Sequence, residues 1–314
     1  MMVYLEFEKP VAALEARIIE LQDAARESDI DVSAEIGKLR AKADKQLKDT
    51  YANLTAWQKT QVARHPERPH FKDFIASIFE DFMPLAGDRA FGDDQAIIGG
   101  LARLNGRRVM VIGHEKGDDT QSRIRHNFGM GKPEGYRKAI RLMELADRFA
   151  IPVVSLVDTS GAFPGIQAEE RGQAEAIARS TEACLALGVP MIACIVGEGG
   201  SGGAVALAAA DRVLMFQYAV YSVISPEGCA SILWRTGDKV ADAAQAMKMT
   251  ADDLKSLRII DRIVKEPVGG AHRDHALAAA TLASAIDEEL EALSAFSAKE
   301  LVQQRRAKFL SMGA

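Results

Sequence analysis

Apolar positions in this chain follow two rhythms. Near the N-terminus they recur every three to four residues: Leu14, Ile18, Leu21 and Ala25 share one helical face, and Ile36, Leu39, Ala43 and Leu47 repeat it. That period marks amphipathic helices, so the spacing predicts two antiparallel helices either side of a break at 28–33, within a charged helical arm over 10–62. The segment RHPERP at 64–69 reads as a proline-marked linker. Beyond it, Phe74, Ile75, Ile78, Phe79 and Phe82 predict one amphipathic helix over 71–83, docked by its aromatic side.

From residue 96 the rhythm shortens to buried strands between helices. Residues 96–98 and 101–104, a turn at Asn105-Gly106 and residues 109–113 predict a β-hairpin. A helix over 139–149, a strand over 152–157 leading into Asp158-Thr159-Ser160-Gly161, a polar helix over 166–187 and a strand over 190–196 follow. Strands over 212–216 and 220–224, a helix opened by Pro226-Glu227-Gly228, a short strand at Ile263-Val264 and a charged helical region over 276–310 complete the chain. The repeating unit is strand, strand, helix, which predicts an α/β chain wound as a spiral of sheets rather than a plain doubly wound sheet. The expected division is a helical arm at 1–63, a linker and amphipathic helix at 64–95, a core at 96–270 and a C-terminal helical region at 271–314.

The densest chemical signal lies at 192–210, IACIVGEGGSGGAVALAAA, where Gly197, Gly199, Gly200, Gly202 and Gly203 fall between a strand and a run of small helix formers. A strand that delivers bare N–H groups to a helix N-terminus makes an anion site, through unsatisfied donors and the helix dipole. Gly197, Gly199 and Gly202 fit a dinucleotide fingerprint, but the strand after it ends at Gln217-Tyr218 with no ribose-binding acid. Gly199 to Gly203 also fit the G-x-S-x-G elbow around Ser201, with His272 and His275 downstream; both histidines follow Gly269-Gly270 and read as solvated loop or helix-start residues. The third reading is an oxyanion hole of peptide N–H groups, for which glycine lets a substrate oxygen approach the backbone. Close helix-on-strand packing would select the same residues.

Composition narrows the field without choosing. At 314 residues and 48% hydrophobic content the chain can bury one large domain with an appendage. A net charge of −5 argues against a general nucleic-acid binder, and the acids of the arm balance its bases. No apolar run approaches a membrane span, and the first ten residues lack a signal-peptide pattern. Three cysteines, Cys184, Cys194 and Cys229, form no C-x-x-C, so neither a zinc ribbon nor a disulfide framework is expected and a cytoplasmic setting fits.

Five motifs in order, GDRAFGDDQAIIGGLARLNGRRVMVIGHEKG, NFGMGKPEGYRKA, DTSGAFPG, GEGGSGGA and SPEGCASILW, resemble the alpha subunits of bacterial acetyl-CoA carboxylase carboxyltransferases from about residue 71 to 264. The resemblance implies a crotonase-like ββα superhelix and transfer of a carboxyl group from carboxybiotin, held on a separate carrier protein, to acetyl-CoA, giving malonyl-CoA for fatty acid synthesis. It implies a beta subunit that carries the thioester half of the site and the only zinc, in an α2β2 heterotetramer, with biotin carboxylase in the full complex. ATP and nucleotide binding would belong to that complex, and no membrane is involved. On this reading the N–H groups of Gly202 and Gly203, with Ala204 starting the helix, hold the biotin ureido oxygen; Gly199 and Gly200 are substitutes. Gly161, Ala162, Phe163 and Gly165 line the biotin pocket, with Phe163 packed on the ring. Gly228 and Cys229 shape a wall or the dimer surface, and Arg137 and Lys138 either attract an anionic group or form a solvated face. The competing expectations are a stand-alone crotonase-fold acyl-CoA hydrolase or isomerase, which would turn over thioesters by itself, and a non-catalytic assembly subunit, in a complex that binds no biotin.

Overall fold

The computed structural model describes residues 3–28 and 31–313; the predicted break at 28–33 and the N-terminal ten lie partly outside them. The arm is α1 (Lys9–Ser28), α2 (Ser33–Ala52) and α3 (Ala56–Ala63), the last opened by a Thr55–Gln58 capping box. Its root is held by burial and charge together. Val11, Leu47, Tyr51 and Val62 pack with Tyr218 of the core, the Tyr51 and Tyr218 rings meeting edge to face at 5.3 Å. Buried Glu8 accepts from the Tyr51 hydroxyl at 2.9 Å and pairs with Arg273 at 3.4 Å.

The predicted helix over 71–83 is instead α4 (Phe71–Ile78) followed by β1 (Glu80–Pro84). Phe79 takes extended angles, and β1 pairs antiparallel with the edge of the next strand, Met83 opposite Leu101. An unpaired edge was available, and that pairing outweighs the helical spacing of the phenylalanines. Phe82 still packs edge-on to Phe71 at 6.3 Å. The hairpin forms as β2 (Ile97–Leu104) and β3 (Arg107–His114), in continuous register from Ile97↔His114 to Leu104↔Arg107.

Then come α5 (Thr120–Arg125), α6 (Pro133–Arg148) and β4 (Val153–Thr159). The predicted helix over 166–187 is two, α7 (Ile166–Glu170) and α8 (Gln173–Ala186), because Gly172 turns at φ +79° between them. After β5 (Met191–Gly200) and α9 (Ser201–Ala208) follow β6 (Arg212–Phe216), β7 (Val220–Ser222), α10 (Pro226–Trp234), α11 (Val240–Ala246), α12 (Ala251–Ser256), β8 (Arg262–Val264), α13 (His275–Leu293) and α14 (Ala298–Leu310). No helix among the described residues is long and apolar enough to cross a membrane.

One mixed sheet, ordered β1-β2-β3-β4-β5-β6-β8, organises the core, antiparallel as far as β3 and parallel beyond. β5 runs longer than the 190–196 read from sequence and changes partner along its length. Ile192–Ile195 pair with β6, whereas Glu198–Gly200 pair with β7. The glycine-rich end of β5 therefore stays in the sheet, beside β4 through Thr159↔Gly199, but exchanges β6 for β7. The C-terminal helix is stapled on by Arg305, 1% exposed, whose guanidinium binds Asp211 at 2.7 and 2.9 Å and the carbonyls of Cys184 and Leu187 at 2.8 Å each.

Candidate functional site

The glycine cluster folds as a sharp turn from β5 into α9. Ser201, the first helical residue, sits at φ +52°, a region that costs an L-residue energy and that packing must enforce. Gly200 before it has no side chain to cap the helix, and no side chain among the described residues accepts from the N–H groups of Gly202, Gly203 or Ala204. The first turn of α9 thus presents bare donors at the positive end of its dipole.

The loop after β4 lies directly on this turn. A Cβ at Gly203 would stand 2.8 Å from both Ala162 N and Gly161 C, and one at Gly200 would collide with the Ser160 carbonyl. Gly161 holds φ +147°, an angle that favours glycine, and the Thr159 hydroxyl clasps its amide and carbonyl at 3.1 and 2.8 Å. Phe163 N donates to Gly131 O at 3.0 Å, and Gln173 Nε2 donates to Gly131 O and Phe163 O at 2.9 Å each. The Lys132 ammonium lies 5.5 Å from the centre of the Phe163 ring. The structure therefore brings Gly161 and Ala162 against Gly200 and Gly203; Gly165 lies against the Phe163 ring, Gly199 faces Tyr221, and a Gly202 Cβ would meet only Ile177, at 3.4 Å.

Sequence reading missed three features here. Tyr136 is fully buried, and its hydroxyl has no partner among the described residues; it lies 3.1 Å from where a Gly203 Cβ would stand. Burial and the neighbouring Asp94 carboxylate both push its pKa up. Gln173 fixes the loop, and its only signal was a glycine before a polar helix. The third feature is an ion-pair chain behind the turn. Asp158 lies 2.7 Å from the Lys116 ammonium, which also reaches Glu198 at 3.1 Å. Burial opposes the charge on Asp158, yet Lys116 and His70 hold its carboxyl well below the usual range. Burial likewise opposes the charge on Lys116, and Asp158 and Glu198 raise it.

Other expectations need correction. Lys138 is not on a solvated face: it is 3% exposed, paired with Asp93 at 2.5 Å and bonded to Asp94 O. Arg137 is half-buried and bonds Arg171 O at 2.8 Å. Nor is His272 solvated. It is buried and stacks on His65 with ring centres 3.8 Å apart, and burial lowers its pKa to about 2. Neither downstream histidine partners Ser201, since His275 bonds Glu67 O instead, so the structure assembles no serine–histidine pair there. Glu8, His65 and His272 bring ligand atoms within 4.8 Å of one another. Both His65 nitrogens are already hydrogen-bonded and the rings stack face to face, so their lone pairs do not converge on one ion. Cys184 and Cys194 are buried, with burial pushing the Cys184 thiol up to about 12, which makes it inert. Gly228 and half-buried Cys229 lie in the first turn of α10, whose far end carries exposed Ile232, Leu233 and Trp234.

Comparison with known proteins follows the same line. The family model for "Acetyl co-enzyme A carboxylase carboxyltransferase-like" proteins matches residues 4–313. Over 313 residues the chain is 74% identical to acetyl-coenzyme A carboxylase carboxyl transferase subunit alpha of Rhizorhabdus wittichii, covering all of both chains. It is 66% identical over 313 residues to that of Zymomonas mobilis, again covering all of both. Among solved structures, transcarboxylase 12S superposes with a TM-score of 0.60 at 22% identity over 73% of this chain and 42% of that one. A Pseudomonas malonate decarboxylase hetero-tetramer superposes at 0.54 and 18% identity, over 68% of this chain and 86% of that chain. These distant likenesses show a shared fold, in line with the crotonase-like α/β class expected from the sequence. The chain belongs to the acetyl-CoA carboxylase carboxyltransferase family, as an alpha subunit.

Proposed function

We propose that this chain supplies the biotin half of an acetyl-CoA carboxylase carboxyltransferase site and is active only in complex with a beta subunit. The observation that carries the reading is the bare first turn of α9 pressed against the loop at 160–165, with no nucleophile–base pair beside it. Carboxyl transfer from carboxybiotin on its carrier protein leaves negative charge on the ureido oxygen. The N–H groups of Gly202 and Gly203, with the dipole of α9 behind them, would bind that oxygen; one well-aimed donor contributes about 3 kcal/mol to such a step. The Phe163 ring and the loop carbonyls, fixed by Gln173, would orient the bicyclic ring and exclude water.

As the family resemblance implies, the acetyl-CoA half falls to the beta partner, in an α2β2 assembly that the carrier protein and biotin carboxylase visit. The test is carboxyl transfer from malonyl-CoA to biocytin by the alpha chain alone, the beta chain alone and the mixture. Activity confined to the mixture is expected. Turnover by this chain alone would reject the shared site.

A further inference from the structure

Behind the glycine turn lies a chain of charges that an anion site built from backbone donors does not itself require. Asp158 near the end of β4 accepts the Glu198 N–H at 2.8 Å and occupies the space a Gly197 side chain would fill. Lys116, two residues past β3, contacts both carboxylates, at 2.7 Å for Asp158 and 3.1 Å for Glu198. Arg64, closing α3, takes the other Glu198 oxygen at 2.6 Å and continues to Glu227 in the first turn of α10 at 2.5 Å. Glu198 is thus gripped by its amide and by both carboxylate oxygens just before the chain turns into α9.

The grip falls at an irregularity of the sheet. The β4–β5 ladder shifts register between Val157↔Ile195 and Thr159↔Gly199, and there β5 trades β6 for β7. We infer that Lys116 is a positioning residue for carboxyl transfer: by bridging the Asp158 and Glu198 carboxylates, it fixes the strand that aims the Gly202 and Gly203 N–H groups. This rests on reading the α9 N-terminus as the anion site.

Without the ammonium, the buried Asp158 carboxylate loses its nearest counter-charge. The other groups facing the two carboxylates do not replace it. Arg64 is shared with Glu227; His70, at the start of α4, stands 3.8 Å from Asp158; His114, on β3, is held neutral by burial, its pKa lowered to about 4. At low pH the Asp158 carboxyl of a Lys116→Met variant takes up a proton and the strand keeps its path. As pH rises it ionises while buried without its ammonium, and the turn is displaced. The loss of activity therefore grows with pH.

The experiment uses the reconstituted alpha–beta complex, with kcat and KM for malonyl-CoA measured from about pH 6 to 8. Lys116→Met should lower kcat on the order of 10²-fold near pH 8 and under about fivefold near pH 6, with KM within about twofold. Adding Asp158→Asn removes the second buried charge while its amide oxygen still accepts the Glu198 N–H; the double variant should recover most of kcat and flatten the profile. A pH-independent loss, a loss that the second substitution deepens, or no loss would each overturn the inference. Should Lys116→Met fail to assemble, Glu198→Gln carries the test: kcat falls by about tenfold with KM unchanged, and no fall overturns it. Gly203→Ala, run alongside, separates the two claims. If it collapses transfer while the Lys116 variants do not, only the positioning role fails; if it too is harmless, the anion site lies elsewhere.

Discussion

Gly203→Ala adds one methyl group at a crowded point of the site. Its carbon would lie 2.8 Å from two main-chain atoms, Ala162 N and Gly161 C, and 3.1 Å from the Tyr136 hydroxyl. Carbon contacts are most favourable at about 3.5–4.0 Å, so loop and helix must separate by about 0.7 Å or more. Neither side yields freely. The loop is tied by the Thr159 clasp, by Phe163 N on Gly131 O and by Gln173. α9 is locked by fully buried Ala204, Ala206 and Leu207. The strain therefore opens the gap between donors and pocket wall. A misplacement of about 1 Å costs about 10²-fold, or about 2.7 kcal/mol of transition-state stabilisation. Overpacking should also cost about 1–3 kcal/mol of stability, so a thermal melt and a check of assembly precede the kinetics. Malonyl-CoA-dependent carboxylation of biocytin by the complex is the assay, and kcat should fall about 10²-fold. Gly202→Ala, with ordinary contact to Ile177 only, should lose about threefold or less. Gly37→Ala on α2, where a methyl meets nothing within 4 Å, is the control. A Gly203→Ala complex within a few-fold of wild type, or equal damage from Gly202→Ala, would refute the reasoning.

Ser201→Ala keeps the backbone donors and should cost less than about tenfold in kcat; a lost nucleophile would cost several powers of ten. Arg305→Leu leaves Asp211 buried without its partner and should destabilise the chain by about 3–5 kcal/mol, read from the melting temperature. Burial lowers the His114 pKa to about 4, so its neutral form contributes stability that is complete above about pH 6.5 and is lost as pH falls toward 4, by at most about 3 kcal/mol. Asp94, raised to about 6 by burial, works the other way: its contribution is lost as pH rises through 6. The clean measurement is the difference between His114→Leu and wild type, whose gap in stability should narrow as pH falls from about 6.5 to 4; a constant gap would contradict the assignment.

What sequence revealed here follows the range over which each interaction acts. The periodicity of α1 and α2, the Asn105-Gly106 hairpin and the strand-to-helix turn at the glycines are local, and the structure has all three. The phenylalanines at 71–82 misled because their spacing suits a helix, whereas Met83 and Pro84 find partners in Leu101 and Gly100 of the next strand, beyond the local window. The loop and the glycine cluster were each visible as motifs. Their contact was not, because the packing that would leave a Gly203 Cβ 2.8 Å from Ala162 N joins segments some forty residues apart. Nothing in PEGYRKA says that the Tyr136 hydroxyl is buried without a partner among the described residues. The same limit hid Lys116 and Asp158, whose pairing exists only once β3 and β4 lie side by side. His272 read as solvated because a Gly-Gly turn precedes it; the returning arm, through His65, buries it.

The central claim is that backbone donors at the start of α9 hold the ureido oxygen of biotin. A crystal structure of the alpha–beta complex with biotin bound tests it most directly. The account predicts that oxygen at hydrogen-bond distance, about 3 Å, from the Gly202 or Gly203 nitrogen, with the ring against Phe163. Biotin bound with its ureido oxygen facing another element, and the first turn of α9 left without it, would contradict the account.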